Sequence, residues 1–457
     1  MNHRLCSGPT DRREILKLGL LGAGALNFGD LAVAAPAAGP GGTSDRSLIL
    51  FWMWGGPSQL ETFDPKPDAP ADVRGPFGTI ETRIPGARFS DIFPKLAGIA
   101  DRLAVVRSLH HTMASHNDGS IEVLTGKTPE APDPTSTAIS KHPDLGMILS
   151  RARGLRADGV PQYIGVPNTP FMTRANYLGL AHKGFNSGDP LRDDPTPAEL
   201  VLSGGLTPRI LDRRASLLRR LETERTTADG RQAPEGFARL RDAGIHLLTR
   251  PEVGAAFDLR QEDPALRDRY GRHLWGQSCL MARRLVEAGT GVVIVDASAP
   301  MRSAKIYWSW DDHANAGGIG WDIKTGMSLR AGFMDQALTT LVQDIYDRGL
   351  DRKVMVAALG EFGRTPKVGQ AAGCMGRDHW PGAFTALLSG GGIRTGQVVG
   401  ATDAWAGEPA ERPLTPQDLH ATFYRHLGVN PETAYDDLTG RPVPILYSGE
   451  PIRELYG

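Results

Sequence analysis

The stretch SLILFWMWGGP, residues 47–57, decides the fold. It opens with an almost entirely apolar run of strand length, which stops at Gly55, Gly56 and Pro57. A strand that is apolar on both faces belongs in the middle of a sheet that is covered by helices on both sides. The stretch therefore predicts a central strand of an α/β protein, with a loop at its carboxyl end.

Four more apolar runs have strand length, and helical patterns lie between them. The runs are Leu103–Leu109, Thr290–Ser298, Lys353–Gly360 and Ala383–Gly392. The helical patterns are His142–Gly154, Pro264–Gly289, Gly326–Gly349 and Thr415–Gly428. Residues 290–360 read as strand, helix, strand, which predicts a right-handed crossover. The alternation predicts an α/β fold with a doubly wound, mainly parallel sheet and helices on both faces.

The N-terminal segment has the features of an export signal. Arg12 and Arg13 precede a mild apolar segment from Leu18 to Phe28, and small residues follow at 32–34. This pattern predicts a twin-arginine signal over residues 1–34, read by the twin-arginine export machinery, and a linker over 35–46. The alternative is the basic start of an amphipathic helix. An export signal implies a periplasmic or secreted protein.

Composition narrows the classes of partner. The 457 residues include 51 basic and 52 acidic side chains, so no global field attracts nucleic acid. No stretch is apolar enough to predict a transmembrane segment in the mature chain. The three cysteines are too few for a disulfide framework, although Cys279 and Cys374 could pair. Residues 155–265 fit the alternation poorly and are predicted to be a helical insertion or cap within one domain over 47–457.

Polar clusters follow the predicted strands, where the carboxyl ends of a parallel sheet place a site. Their candidate residues are Glu61 and Asp64 after the first strand, Thr112, Ser115, His116 and Asn117 after the second, Asp311 and His313 after the third, Glu361 and Arg364 after the fourth, and Arg377, Asp378 and His379 before the fifth. An Asp-His pair such as 378–379 is also compatible with a surface loop or a structural hydrogen bond. Five clusters at one edge favour a site.

The residue types suit a divalent metal. Carboxylate and imidazole groups bind Zn²⁺, Mn²⁺, Mg²⁺ or Ca²⁺, and one or two such ions would clamp an anionic ester. The hydroxyl of Thr112 or Ser115, beside His116, would attack phosphorus or sulfur. Asn117, Arg364 and Arg377 are candidates for binding substrate oxygens, and Arg364 could instead pair with Glu361.

Several motifs in order resemble a bacterial family called domain of unknown function 1501. They are the twin-arginine leader, FWMWGGPSQLETFDPKPDAP, WDDH, EFGRTP, GRDHWP and GATD, and together they span nearly the whole mature chain. That family is placed with the alkaline-phosphatase-like hydrolases, which include sulfatases and phosphatases. The resemblance implies their doubly wound sheet, a pair of metal ions, and a Thr, Ser or modified Cys nucleophile.

The resemblance carries over unevenly. Glu361 takes the place of an Asp, His379 fits the last His ligand, and the glycines after the first strand leave Glu61 or Asp64 to reach in. Thr112 or Ser115 matches the nucleophile region. The formylglycine signature Cys-x-Pro-x-Arg is absent, so an ordinary formylglycine sulfatase is not expected.

Two functions follow from these observations. The first is an exported, metal-dependent hydrolase of phosphate or sulfate esters, with a small-molecule or glycan ester as substrate. The alternative is a non-catalytic protein on a degenerate hydrolase fold that recognises a glycan or a protein partner. The tryptophans near the clusters could stack on a sugar or pack in the core, and they are Trp52, Trp54, Trp308, Trp310 and Trp380.

Overall fold

The computed structural model describes residues 45–156, 158–193, 206–229, 244–249, 251–300, 309–314, 322–371 and 373–457, together with residues 197, 200 and 241. The predicted export signal, almost all of the predicted linker and Trp308 lie outside the described residues. None of the described helices is long and apolar enough to cross a bilayer. Cys279 and Cys374 are both free thiols.

Eight of the described strands form one sheet and the others form two-stranded pairs. In chain order the strands are β1 (Ser47–Trp52), β2 (Thr79–Glu81), β3 (Arg88–Ser90), β4 (Ala104–Leu109), β5 (Tyr163–Val166), β6 (Phe185–Asn186), β7 (Val292–Asp296), β8 (Val354–Leu359), β9 (Gly363–Arg364), β10 (Gly369–Ala371), β11 (Cys374–Gly376), β12 (His379–Trp380), β13 (Phe384–Gly390), β14 (Gln397–Val399), β15 (Ala401–Thr402), β16 (Pro409–Glu411), β17 (Ala434–Asp436) and β18 (Pro442–Pro444). The described α-helices are α1 (Ala71–Arg74), α2 (Pro94–Ala97), α3 (His116–Thr125), α4 (Leu145–Arg153), α5 (Pro208–Asp229), α6 (Pro251–Phe257), α7 (Pro264–Tyr270), α8 (Leu274–Glu287), α9 (Ile323–Asp347) and α10 (Pro416–Leu427).

The main sheet is mainly parallel, with the strand order β14-β4-β13-β8-β1-β7-β5-β6. β1 pairs in parallel with β7 on one side and with β8 on the other. β13 is antiparallel to both β4 and β8, so β4 runs in the same direction as β8. The carboxyl ends of β4, β8, β1 and β7 therefore share one edge, and β13 starts at that edge.

The sheet is covered on both faces, as the apolar run of β1 predicts. Successive side chains of a strand point to opposite faces. Accordingly Ile49 and Phe51 lie in one apolar cluster, whereas Leu48, Leu50 and Trp52 lie in the other. Helices α8 and α9 cover the first face, and α3, α4 and α10 cover the second. The predicted α/β class and doubly wound sheet are confirmed.

Two predicted segments differ from the observed elements. The helix predicted over 264–289 is broken into α7 and α8 at Gly271, which has φ +95°. A Cβ atom there would lie 2.3 Å from the His273 ring, so this turn requires glycine. The polar loop predicted over 110–119 ends early, because Ser115 caps α3 and His116 is its first residue.

The segment 155–265, predicted as a helical insertion or cap, contains both strands and helices. Its first part supplies β5 and β6, which extend the main sheet beyond β7. Helices α5 and α6 follow later in the segment. Two strands of the main sheet, β5 and β6, therefore come from the segment that was predicted to be an insertion.

Candidate metal centre

Residues that follow three strands, β4, β7 and β8, meet at one edge of the sheet with His379, which precedes β13. Asp311, after β7, lies at their centre. One of its carboxylate oxygens lies 2.8 Å from Nε2 of His313 and 3.1 Å from Nε2 of His379. The other lies 3.2 Å from Nε2 of His116, which follows β4. Glu361 follows β8 and lies 2.7 Å from the other ring nitrogen of His116.

The backbone around Asp311 is fixed by packing and by close approach. Trp310 is 1% exposed, stacks on Trp275 and donates from its indole nitrogen to the carbonyl of Ala297. Gly55, just after β1, lets this loop come close, because a Cβ at Gly55 would lie 2.5 Å from the Trp310 nitrogen. Preorganisation of this kind holds a site in one geometry before any ligand binds.

Each of the three histidines has an outer partner that can only accept a hydrogen bond. The Nδ1 atom of His116 lies 2.7 Å from the Glu361 carboxylate, and that of His379 lies 2.7 Å from the Ala114 carbonyl. The Nδ1 atom of His313 lies 3.0 Å from the Asp378 carboxylate. Nδ1 therefore carries hydrogen in all three rings, and the three Nε2 atoms turn towards Asp311.

The electrostatics of the cluster follow from these contacts. Burial lowers the pKa of His116, but the carboxylates of Asp311 and Glu361 outweigh it and raise the pKa to about 9. Burial raises the pKa of Asp311, yet its contacts with His116, His313 and His379 and the positive charge of Arg364 hold that pKa well below its usual range. The contact with Asp311 raises the pKa of His313, whereas burial lowers the pKa of His379. His379 is therefore the imidazole that stays neutral most readily.

The donor set fits a divalent metal. Ligand atoms of His116, Asp311 and His379 all lie within 4.8 Å of one another. A neutral His379 with hydrogen on Nδ1 turns an Nε2 lone pair towards the Asp311 oxygen 3.1 Å away. Two acceptors at that distance need a proton or a cation between them. Imidazole and carboxylate ligands suit Zn²⁺ and Mn²⁺ in particular, and the outer acceptors orient the rings as they do in metalloproteins.

A family model covers almost all of this chain. The model described as a protein of unknown function, DUF1501, matches residues 45–456. The chain belongs to the DUF1501 family. No curated protein matches it.

Solved structures that match this DUF1501 member include three bacterial enzymes. The lipoteichoic acid synthase LtaP from Listeria monocytogenes is 11% identical, with 88% of this chain and 77% of that chain covered at a TM-score of 0.38. The PsFucS1 sulfatase from Pseudoalteromonas sp. is 12% identical, with 90% and 71% covered at 0.38. The phosphonate monoester hydrolase of Agrobacterium radiobacter is 11% identical, with 90% and 77% covered at 0.34.

Arg364, predicted to bind substrate oxygens, is a buried part of the DUF1501 cluster. It is 1% exposed and its Nη2 atom lies 2.6 Å from Asp311, so its ion pair is with Asp311 and not with Glu361. Its other nitrogens donate to backbone carbonyls, including those of Gly56 and Arg377. The buried guanidinium therefore holds the Asp311 carboxylate in place.

Glu61 and Asp64, predicted as metal ligands, are not brought to the cluster. The Glu61 carboxylate forms a buried ion pair with Arg377, with an oxygen 2.6 Å from Nη2. Arg377, predicted to bind substrate, is thus held at the same place. Asp64 lies 3.1 Å from Lys66 and 3.4 Å from Arg107. These acids tie the loop after β1 to other parts of the fold.

The predicted nucleophile region has mainly structural contacts. The Ser115 hydroxyl lies 2.8 Å from the Asp118 carboxylate and caps α3. The side-chain amide of Asn117 donates to the carbonyl of Ala138 over 2.8 Å. Thr112 is exposed. Of the predicted residues around it, His116 is the one that reaches the cluster.

Aromatic rings form two walls of the cluster, and of these the sequence pattern indicated Trp54 but not Phe362. The Phe362 ring lies 5.3 Å from that of His116 and 4.7 Å from that of His379. The Trp54 ring lies 5.2 Å from that of His116 on another side. The position of Phe362, directly after Glu361, was the available signal.

Proposed function

We propose that this DUF1501 member is an exported, metal-dependent hydrolase of phosphate or sulfate esters. The observation that carries the proposal is the convergence of three imidazole Nε2 atoms on Asp311, each ring oriented by an outer acceptor. The reaction would break the bond between phosphorus or sulfur and the ester oxygen. Water supplies a hydroxyl to phosphorus or sulfur and a proton to the departing alcohol.

A divalent ion at this cluster would act as a Lewis acid and lower the pKa of a water or hydroxyl near it. His116, Asp311 and His379 would hold the ion. Glu361 holds the His116 ring through Nδ1, and the Ala114 carbonyl holds the His379 ring in the same way. This division of labour between ligands and orienting groups is common in metal sites.

The outer side of the cluster is open to a substrate. The His313 side chain is 25% exposed, and the Asp378 side chain beside it is 82% exposed. Because Asp311 raises the pKa of His313, this imidazole can hold a proton and pass it to a departing oxygen. Of the two predicted hydroxyl nucleophiles, Thr112 is the one not engaged in capping α3. A water molecule is the other source of the attacking oxygen.

Export is a separate part of the proposal. It is supported by Arg12 and Arg13, the mild apolar segment after them and the small residues at 32–34. The twin-arginine machinery would carry the folded chain to the periplasm or beyond. Replacing Arg12 and Arg13 by Lys should leave the protein in the cytoplasm, and continued export of that variant would contradict a twin-arginine route.

The first experiment is elemental analysis of the purified exported protein, before and after incubation with Zn²⁺, Mn²⁺, Mg²⁺ or Ca²⁺. One or two equivalents of a bound ion are expected. The loaded protein is then assayed with a panel of phosphate and sulfate esters, beside His379→Ala and, as a control outside the cluster, Glu122→Gln. Hydrolysis that depends on metal and on His379 supports the proposal, whereas metal binding without any hydrolysis overturns the enzymatic part.

A binding function is the second candidate, and Arg364 favours it. The guanidinium already supplies a cation to Asp311 at 2.6 Å, and two further predicted metal ligands are paired elsewhere. A protein that recognises a glycan or protein partner would need no metal at this place. Absence of bound metal after incubation with an excess would favour this candidate.

A further inference from the structure

A row of aromatic rings runs from the candidate metal site to the surface. The Trp54 ring lies 5.2 Å from that of His116, and the Phe171 ring lies 5.9 Å from that of Trp54. Exposure increases along the row, because the His116 side chain is 12% exposed and Phe171 is 56% exposed. The row therefore leads outwards from the cluster, one ring at a time.

Phe171 is exposed although its neighbours are anchored. Met172 is 1% exposed and Thr173 is 3% exposed. The Thr173 hydroxyl donates to the buried Asp144 carboxylate over 2.7 Å. Apart from its edge contact with Trp54, the ring faces water, where an apolar surface gains no burial energy. Its position beside a polar site suggests contact with a ligand.

The tryptophans of the cluster region divide into two groups. Trp52 and Trp310 are 3% and 1% exposed and belong to the core. Trp54 is partly buried and Trp380 is 37% exposed, and both adjoin cluster histidines in space or sequence. The Trp54 ring contacts a further ring, that of Phe171, which is exposed, so aromatic surface continues outwards on the side of the cluster beside His116.

We propose that Trp54 and Phe171 form a stacking subsite for the ring of a ring-bearing ester, that is, a phosphate or sulfate ester of a sugar or a phenol. The ring of the substrate, a pyranose or an arene, would lie against these side chains while its phosphate or sulfate group reaches the cluster. The two kinds of ring share an apolar face, which stacks on aromatic side chains. This inference rests on the proposed function and assigns its substrate class.

The test compares Phe171→Ala with Phe171→Tyr in the full, metal-loaded chain. The probes are 4-nitrophenyl phosphate and sulfate, glucose 6-phosphate and 6-sulfate, and the acyclic ethyl phosphate and ethyl sulfate. Phe171→Ala should raise KM for the ring-bearing esters, relative to the ethyl esters, by about 3- to 10-fold. Phe171→Tyr should restore it. A larger effect on the aryl or on the sugar esters identifies the natural ring.

The matched control is Tyr447→Ala. Tyr447 is 63% exposed and lies beside Lys127, just past the far end of α3 from His116, about 15 Å along that helix. Equal changes in KM for the ring-bearing and the ethyl esters would overturn the subsite. The same selectivity in Tyr447→Ala would overturn it too. If no ester is hydrolysed, the proposed function fails, and the subsite is judged from the Kd of the same compounds. A Kd that does not change with Phe171→Ala then refutes it as well.

Discussion

Replacing Glu361 by Gln tests whether the outer acceptors tune the cluster. Glu361 is fully buried, lies 2.7 Å from Nδ1 of His116 and accepts from the backbone N–H of Gly55 over 2.8 Å. A glutamine has the same shape and can keep its oxygen towards both donors. The substitution therefore removes a charge without opening a cavity.

The expected loss in metal affinity follows from the position of Glu361. It contacts a histidine that would hold the ion, but it does not face the three Nε2 atoms. Substitution of such an orienting group weakens metal binding by about 10- to 100-fold, which is about 1.4–2.7 kcal/mol. In the metal-free protein the same change removes one of the two carboxylates that raise the pKa of His116, so that pKa should fall from about 9.

Zinc affinity is measured by competition with a chelator, and the His116 pKa by NMR titration of the metal-free protein. Glu122→Gln is the matched control, because Glu122 is also buried and lies on α3, but it bonds to Thr128 and not to the cluster. An unchanged zinc affinity together with an unchanged His116 pKa, in a folded Glu361→Gln protein, would refute the reasoning.

Three further outcomes are expected. His379→Ala and Asp311→Ala should each lower bound metal, measured by elemental analysis, without unfolding the protein as judged by circular dichroism; full metal content in both variants contradicts the site. Metal affinity should increase with pH up to about 9, because His116 holds a proton below that value and must release it to bind the ion. Calorimetry in buffers of different ionisation enthalpy detects the released proton. A metal affinity independent of pH excludes His116 as a ligand. Glu61→Ala should lower the free energy of unfolding by about 3–5 kcal/mol in urea, because it leaves the Arg377 guanidinium buried and unpaired, while metal content stays the same; an unchanged unfolding curve would show that the pair contributes little.

The apolar runs predicted the middle of the sheet well and its edges poorly. β1, β4, β7, β8 and β13 all lie within predicted strands, because their residues are buried on both faces and leave a continuous signal. β14 has three residues and β6 has two, which is too short for any periodicity to show. β5 has four buried residues but lies in a segment whose charged helices dominated the pattern.

The sequence predicted which residues lie at the site wherever their position follows from the order and direction of the strands. The rule that sites lie at the carboxyl ends of parallel strands brought His116, Asp311, His313, Glu361 and His379 together, and the structure places them in one cluster. The rule cannot show which acid faces which partner. A buried carboxylate has the same sequence signal whether it binds a metal or an arginine. The partner of Glu61 is 316 residues away in the sequence, so only the fold reveals it.

The charges of the cluster favour one divalent ion over two. Its three carboxylates contribute −3 and its guanidinium +1, which leaves −2 before the histidines are counted; these groups are Asp311, Glu361, Asp378 and Arg364. In the metal-free protein the proton that His116 holds below about pH 9 offsets one of these charges, and the raised pKa of His313 favours a second proton. A single divalent cation, which takes the place of the His116 proton, balances the charge of −2. A second ion would need further acids, and Glu61 and Asp64, which were predicted to provide them, are already paired with Arg377 and with Lys66 and Arg107. Glu61 and Asp64, the carboxylates that a second metal ion would need, are thus used to stabilise the fold. Any further positive charge at the cluster would be balanced by the anionic ester when it binds.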